Sequence, residues 1–124
     1  MGCKWNWRQL MSGVIAALSP TKVNIVATVI PEYAYGATSG AGYCISNDVT
    51  VTATGGVGTL TYTWTKLSGD TISATAASAA TTAFTGTVGI NEELGATFQC
   101  EIEDAIGTTT TVTVDVQLYE ISYL

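Results

Sequence analysis

The sequence predicts an all-β protein built as an antiparallel sandwich, and two observations lead to this expectation. Thr, Ala, Gly and Val dominate the 124 residues while charged residues make up only 11%, a composition that favours strands over helices. Four segments also alternate apolar with polar positions, the period of a strand that buries one face. Because half-buried strands cover their apolar faces by packing two sheets together, a single sandwich domain is expected.

The four alternating segments predict which side chains point inward. In chain order these are Val49, Val51 and Ala53; Leu60, Tyr62 and Trp64; Ala96, Phe98, Cys100 and Ile102; and Val112, Val114, Val116 and Leu118. The first segment ends at Gly55 and Gly56, and turns are predicted at residues 69–70 and 106–107. Residues 71–88 are expected to hold two short Thr- and Ala-rich strands, the second anchored by Phe84.

The flanking segments are less regular. Residues 1–21 are predicted to form an N-terminal docking arm that Pro20 ends. The sandwich spans residues 22–118, and its first strand, 22–30, carries apolar residues on both faces and is expected to be covered on both sides. Residues 33–42 are predicted to be a Gly-, Ala- and Tyr-rich loop. Residues 119–124 are a C-terminal extension that continues the last strand or forms a second arm.

A Trp in one strand followed by a Phe-x-Cys strand is typical of an immunoglobulin-like core. On this basis the predicted core contains Val51, Trp64, Phe98, Cys100 and Val114. Residues 49–118 resemble the immunoglobulin-like domains common in tailed-bacteriophage virion proteins. The resemblance is carried by Gly55 and Gly56, Tyr62 to Trp64, Ser68 to Asp70, the 78–84 run with Thr81 and Thr82, Phe98 to Cys100, and Asp104 to Gly107. Related bacterial surface domains share the same pieces.

That resemblance implies an immunoglobulin-like antiparallel sandwich and a structural role in a virion, most concretely as a capsid decoration or cement protein. A tail or head–tail accessory protein is a close variant. The chain departs from the immunoglobulin pattern at two positions: Val51 stands where the second cysteine of the bridge would be, and Phe98 stands where the tyrosine of the corner motif usually is.

The cysteines Cys3, Cys44 and Cys100 are odd in number. Since Val51 occupies the bridging position and Cys44 lies at the head of that strand, too far along the sheet to reach Cys100, all three are expected to be free thiols. Free thiols favour folding in a reducing compartment, here the cytoplasm of the host.

No catalytic, cofactor or metal site is predicted, so the chain is expected not to be an enzyme. It has no His, the usual general base and metal ligand, and its cysteines lack zinc spacing. Glu101 and Glu103 share one strand face and would hold Ca²⁺ weakly at best; such a pair is more often a solvated face. The net charge of -6 disfavours nucleic acid. The apolar run at residues 10–18 is too short to span a membrane.

The arm is the predicted interface. Trp5 and Trp7 fall on one face of an extended segment because they are two residues apart. The full set of expected interface residues is Trp5, Trp7, Leu10, Met11, Val14 and Ile15. The expected partners are the major capsid protein or other virion subunits, with the chain homo-oligomeric or bound to a lattice in the virion. Alternatively the arm folds back over its own sandwich.

The distribution of charge supports an assembly role. Three of the four basic residues lie within the first 22 positions, whereas residues 92–120 contain seven acids and no base. Such polarity suits head-to-tail packing against neighbours. A different class, the adhesin-type binding module of a bacterial cell surface, would use its loops for glycan or protein. It is disfavoured because such modules usually come as tandem repeats behind a secretion signal.

Overall fold

A computed structural model describes residues 21–121 of the chain, and these residues contain ten strands and no helix. The strands are β1 (Ile25–Ile30), β2 (Tyr33–Thr38), β3 (Gly42–Ile45), β4 (Val49–Gly55), β5 (Thr61–Gly69), β6 (Ser73–Ala74), β7 (Thr81–Thr82), β8 (Phe84–Val88), β9 (Glu93–Glu103) and β10 (Thr109–Glu120). The predicted all-β class is confirmed.

The strands form three sheets around one core. Two three-stranded sheets have the orders β1-β4-β7 and β3-β8-β6, and a four-stranded sheet has the order β2-β10-β9-β5. Every pairing is antiparallel except that of β2 with β10. The buried side chains of all three sheets belong to a single hydrophobic cluster. This arrangement is consistent with the predicted β-sandwich.

The register of the four-stranded sheet follows from the alternation in the sequence. Trp64 on β5 is paired with Cys100 on β9, and Val114 on β10 is paired with Phe98 on β9. These side chains point inward, while the Thr, Gln and Glu residues between them point out. A shift of one residue would reverse every side chain, so the apolar face fixes the register.

Aromatic rings occupy the centre of the core. Phe84 is fully buried. Its ring centroid lies 5.7 Å from that of Trp64 in an edge-on arrangement and 4.6 Å from that of Phe98. The indole Nε1 of Trp64 donates a hydrogen bond to the Ala79 carbonyl at 2.9 Å. The exposed fractions of the expected core residues are Val51 3%, Trp64 5%, Phe98 3%, Cys100 0% and Val114 1%.

The loop predicted at residues 33–42 is wrong, because the structure has β2 and β3 there. On β2, Tyr33 and Tyr35 point out while Ala34 and Gly36 are buried, so the inward positions are too small to mark a strand in the sequence. Gly36 has to be small because a Cβ on it would overlap the backbone carbonyl of Ile45 on β3.

The expectation for the first strand also needs correction. The first strand starts at Ile25 and not at residue 22. The described residues cover only its inward face, since Val26 is 65% exposed and Ile30 is 68% exposed. At the other end of the chain, β10 continues beyond residue 118 to Glu120. The predicted arm residues and residues 122–124 lie outside the part of the chain that the structure describes.

Candidate docking surface

Exposed apolar side chains are concentrated in one part of the described chain. Of its ten large hydrophobic residues that are substantially exposed, seven lie between residues 23 and 45. They are Val23, Val26, Ile30, Tyr33, Tyr35, Tyr43 and Ile45. We call residues 23–45, which contain β1, β2 and β3, the N-terminal flank. Single exposed apolar residues are ordinary, but a concentration of them marks an interaction surface.

β2 lies beside β3 and pairs with β10, and β1 also lies beside β10. Each of β1, β2 and β3 is the terminal strand of its sheet among the described residues. β1 leads into β2 through Pro31, which follows a cis peptide bond. β2 adjoins β3 at Gly36. Asn47, in the loop after β3, also holds β2: its Oδ1 accepts the Tyr35 N–H at 2.9 Å, and its backbone N–H donates to the Tyr35 carbonyl at 3.1 Å.

Three tyrosines form a cluster on the outer face of β2 and β10. The rings of Tyr33 and Tyr35 stack with centroids 6.1 Å apart and planes inclined by 24°. The hydroxyls of Tyr33 and Tyr119 both donate to Gln117 Oε1, and their oxygens lie 2.9 Å apart. Glu93 and Asp115 lie close enough to affect Tyr33 electrostatically. The cluster therefore combines ring surface, hydroxyls and nearby negative charge.

The electrostatics of the cluster keep its central hydroxyl protonated. The hydrogen bond with Tyr119, followed by desolvation and the nearby acids, raises the pKa of Tyr33 to about 12. An anionic phenolate there would be repelled by Glu93 and Asp115. The cluster offers aromatic ring faces beside carboxylates, a combination suited to cationic side chains.

A groove runs beside the cluster, between β1 and β10. It has a volume of about 380 Å³ and is lined by Ala27, Thr28, Val29, Glu32, Val112, Thr113 and Asp115. β9 pairs with β10 from Thr109 to Tyr119, but β2 pairs with it only from Asp115 onward. One side of residues 109–114 therefore has no strand partner among residues 21–121.

Two buried carboxylates are used to hold loops. Asp104 accepts backbone N–H bonds from Val57 at 2.8 Å, Ile106 at 3.0 Å and Thr108 at 2.8 Å. Desolvation raises the pKa of Asp104, but these N–H donors outweigh it and the pKa lies below its ordinary value. Glu120, 4% exposed, accepts the N–H groups of Gly40 at 2.9 Å and Asn91 at 2.7 Å.

No group of three or more acidic or cysteine side chains that could hold a metal ion occurs in residues 21–121. Glu101 and Glu103 are exposed on the outer face of β9, as their alternation predicts. Within the same residues no helix is long and apolar enough to cross a membrane.

The two described cysteines are buried and free. Cys44 is 2% exposed and Cys100 is fully buried. Burial raises the pKa of Cys44, and it raises the pKa of Cys100 to about 11. Both are protonated thiols at neutral pH, and neither has the low pKa of a reactive cysteine. Cys3 lies outside the described residues.

The sequence interpretation missed the tyrosine cluster because it treated residues 33–42 as a loop. Tyr33, Ala34, Tyr35 and Gly36 do alternate large with small residues at the period of a strand, but the small residues occupy the inward positions. An alternation in which the large residues point out and the small residues point in is the reverse of the usual pattern. It suggests that the outer face is an interaction surface. The predicted interface residues of the arm cannot be placed beside the cluster, since residues 1–20 are not described.

No protein-family model matches the chain, and neither curated proteins nor solved structures contain a significant match to it.

Proposed function

We propose that the chain is a non-enzymatic structural protein of a bacteriophage particle, most concretely a capsid decoration or cement protein that docks on neighbouring subunits through its N-terminal arm. The observation that carries the proposal is the position of the exposed apolar residues. Seven of ten lie in the N-terminal flank, which directly follows the arm in sequence.

The strand pairing supports an immunoglobulin-like assignment of the sandwich. Strands β3 and β4 follow each other in one interrupted stretch, as do β7 and β8, and these two stretches pair with each other. With β1 and β6 they make one layer, opposite a layer of β2, β10, β9 and β5. Trp64 beside Cys100 matches the immunoglobulin core pattern, as in the domains that the sequence resembles.

The energetics favour burial of the arm on a partner. Burying a Trp removes about 150–250 Å² from water, or roughly 4–6 kcal/mol at about 25 cal/mol per Å². Trp5 and Trp7 together therefore supply enough apolar area to offset much of the entropy lost on docking. Aromatic residues of this kind are frequent interface hot spots.

The remaining chemistry agrees with assembly inside a host cell. The described thiols are free, which suits folding in a reducing cytoplasm. The outer faces of the sheets are rich in Thr and acids, and residues 92–120 carry no base. Such a surface stays soluble when it faces outward from a crowded shell.

Co-purification with intact particles tests the proposal. Particles assembled with the wild-type chain are expected to retain it at a fixed stoichiometry to the major shell protein. Particles assembled with the Trp5→Ala, Trp7→Ala double variant are expected to lose most of it. The matched control removes two exposed apolar side chains elsewhere, Ile90→Ala with Ile106→Ala, which are 61% and 43% exposed.

The control should bind particles as the wild type does. If the chain is absent from particles, the proposed virion role is wrong. If both double variants bind normally, the arm is not the anchor. Retention of the chain on whole bacterial cells, with none on particles, would point to a surface-binding module.

A further inference from the structure

We infer that the groove between β1 and β10 receives the arm of a second copy of the chain, which adds as an extra strand along residues 109–114 of β10. The inference rests on the proposed docking role of the arm and names the subunit that receives it. Three features of the described residues carry the argument: an open strand, a groove beside it, and a pair of acids at one end.

The open strand arises from the path of the chain. β1 belongs to the sheet with β4, and the chain enters the sheet with β10 only at Tyr33. The position beside residues 109–114, in line with β2, is therefore vacant among the described strands. In a β-strand alternate residues direct their N–H and C=O groups to the same side, so half of this stretch presents unpaired donors and acceptors there.

Nothing in the side chains protects this stretch. Residues 109–114 read Thr-Thr-Thr-Val-Thr-Val, which are strong strand formers without charge or proline. Sheet edges that must stay unpaired usually carry Lys, Pro, a bulge or a very short strand. A long, uncharged and regular edge is a template for strand addition.

The groove matches the pattern of residues 4–8, Lys-Trp-Asn-Trp-Arg. In an extended segment Trp5 and Trp7 share one face and Lys4 and Arg8 share the other. Four of the seven residues that line the groove are polar, and Val29 is buried in the core. The two indoles would therefore pack against the partly exposed Ala27 and Val112. The outer face then carries the two bases about 13 Å apart.

The acids at one end of the groove complement those bases. Glu32 and Asp115 both line that end, where the Asp115 N–H donates to the Glu32 carbonyl at 3.3 Å. The Asp115 carboxylate accepts the Thr97 hydroxyl at 2.9 Å, and no basic residue lines the groove. Asp115 is exposed beside Tyr33, its register partner. An Arg or Lys at this end would have a carboxylate and an aromatic ring within reach.

The occupant comes from a second copy because of the register. If the chain's own arm folded back tightly through residues 21–24, it would pair with β1 and not with β10, with Pro20 opposite Ile25 and Gly13 opposite Glu32. Arg8 would then lie five residues, about 17 Å, beyond the acids. A second copy has no such tether and can place its bases freely. The contact is head-to-tail, so it builds rings or chains, as a repeating shell requires.

A charge exchange in the full-length chain tests the inference by sedimentation velocity at low salt, where surface ion pairs are strongest. The arm variant is Lys4→Glu with Arg8→Glu, and the groove variant is Glu32→Lys with Asp115→Lys. The wild type should associate with rising concentration. Each variant alone should associate at least ~10-fold more weakly, because like charges then meet.

Mixing the two variants should restore association, and so should combining all four changes in one chain. The matched control, Glu101→Lys with Glu103→Lys, makes the same change of charge on β9, one strand further from the groove, where these residues pair with Thr111 and Thr109, and should weaken association less than the groove variant does. A wild type that stays monomeric at every concentration would mean that its own arm fills the groove, or that the groove is empty, and overturns the inference. Failure of the mixture to recover, or equal weakening by the control, overturns it too.

The outcome is separable from the proposed function. If the chain never self-associates but binds particles to saturation, the proposed function stands and the inference about the groove is wrong. If the charge-exchange variants behave as expected but the chain never co-purifies with particles, the inference about the groove stands and the proposed role in a phage particle is wrong.

Discussion

Replacing Trp64 by Ala tests whether the aromatic centre holds the sandwich together. Trp64 is 5% exposed and packs edge-on against Phe84. Truncating a buried Trp costs about 3–5 kcal/mol through lost transfer free energy and the cavity left behind. The same change removes the donor that satisfies the Ala79 carbonyl, an unmade bond worth roughly 1 kcal/mol or more. Against a total stability of about 5–15 kcal/mol, the variant should be at or near the point of unfolding.

The assay is urea unfolding followed by far-ultraviolet circular dichroism, with stability taken from the midpoint and slope. Thr63→Ala is the control, because Thr63 is exposed on the opposite face of the same strand. It should lose about 1 kcal/mol or less, the range of strand propensity. Equal losses for the two variants would refute the register of β5 and the position of the core.

Three further outcomes are expected. Alkylation in denaturant without reductant should modify all three cysteines, whereas in the native state Cys44 and Cys100 should react slowly because they are buried; one modified thiol in denaturant would reveal a bridge. Tyr119→Phe should lower the pKa of Tyr33 from about 12 towards its ordinary value of 10, as measured by absorbance at alkaline pH. In the wild type the stability that Tyr33 contributes should be present below pH 10 and lost as the pH rises through about 12. Asp104→Asn should destabilise the loops that Asp104 holds. Because folding lowers the pKa of Asp104, the carboxylate should stabilise the fold at pH values above the ordinary aspartate pKa, and this stabilisation should be lost as the pH falls. Acid unfolding curves of the variant should lack this pH dependence.

The sequence predicted the core well where large inward residues alternate with Thr or Glu. Phe98, Cys100 and Ile102 are all buried in one strand, and their outward neighbours are not. This works because a two-residue period with one apolar face leaves a single register that buries it. It also located Phe84, since an aromatic residue in a Thr- and Ala-rich stretch has few alternatives to the core.

Prediction failed where the inward residues are small. β2 buries Ala34 and Gly36, and at Gly36 β3 lies too close for a larger residue. This closeness depends on the tertiary structure, and nothing in the local sequence predicts it. For β1, apolar residues on both faces were taken to mean cover on both sides. Hydropathy alone does not distinguish a covered face from one that awaits a partner.

The way each sheet ends argues that strand addition is confined to one side of the sandwich. β5 is interrupted by a bulge between Lys66 and Ser68, and a bulge and a lysine both discourage pairing. β6 and β7 are two residues each, too short to template a partner, and β3 adjoins β2 at Gly36. The open half of β10 lacks every one of these protections and faces the strand that the arm precedes. β1 is also an uncharged open edge, and it borders the same groove. Since the protected edges lie elsewhere and both unprotected ones meet at this groove, we expect the assembly contact there, and the charge exchange at Glu32 and Asp115 is the sharpest test of how copies of this chain join.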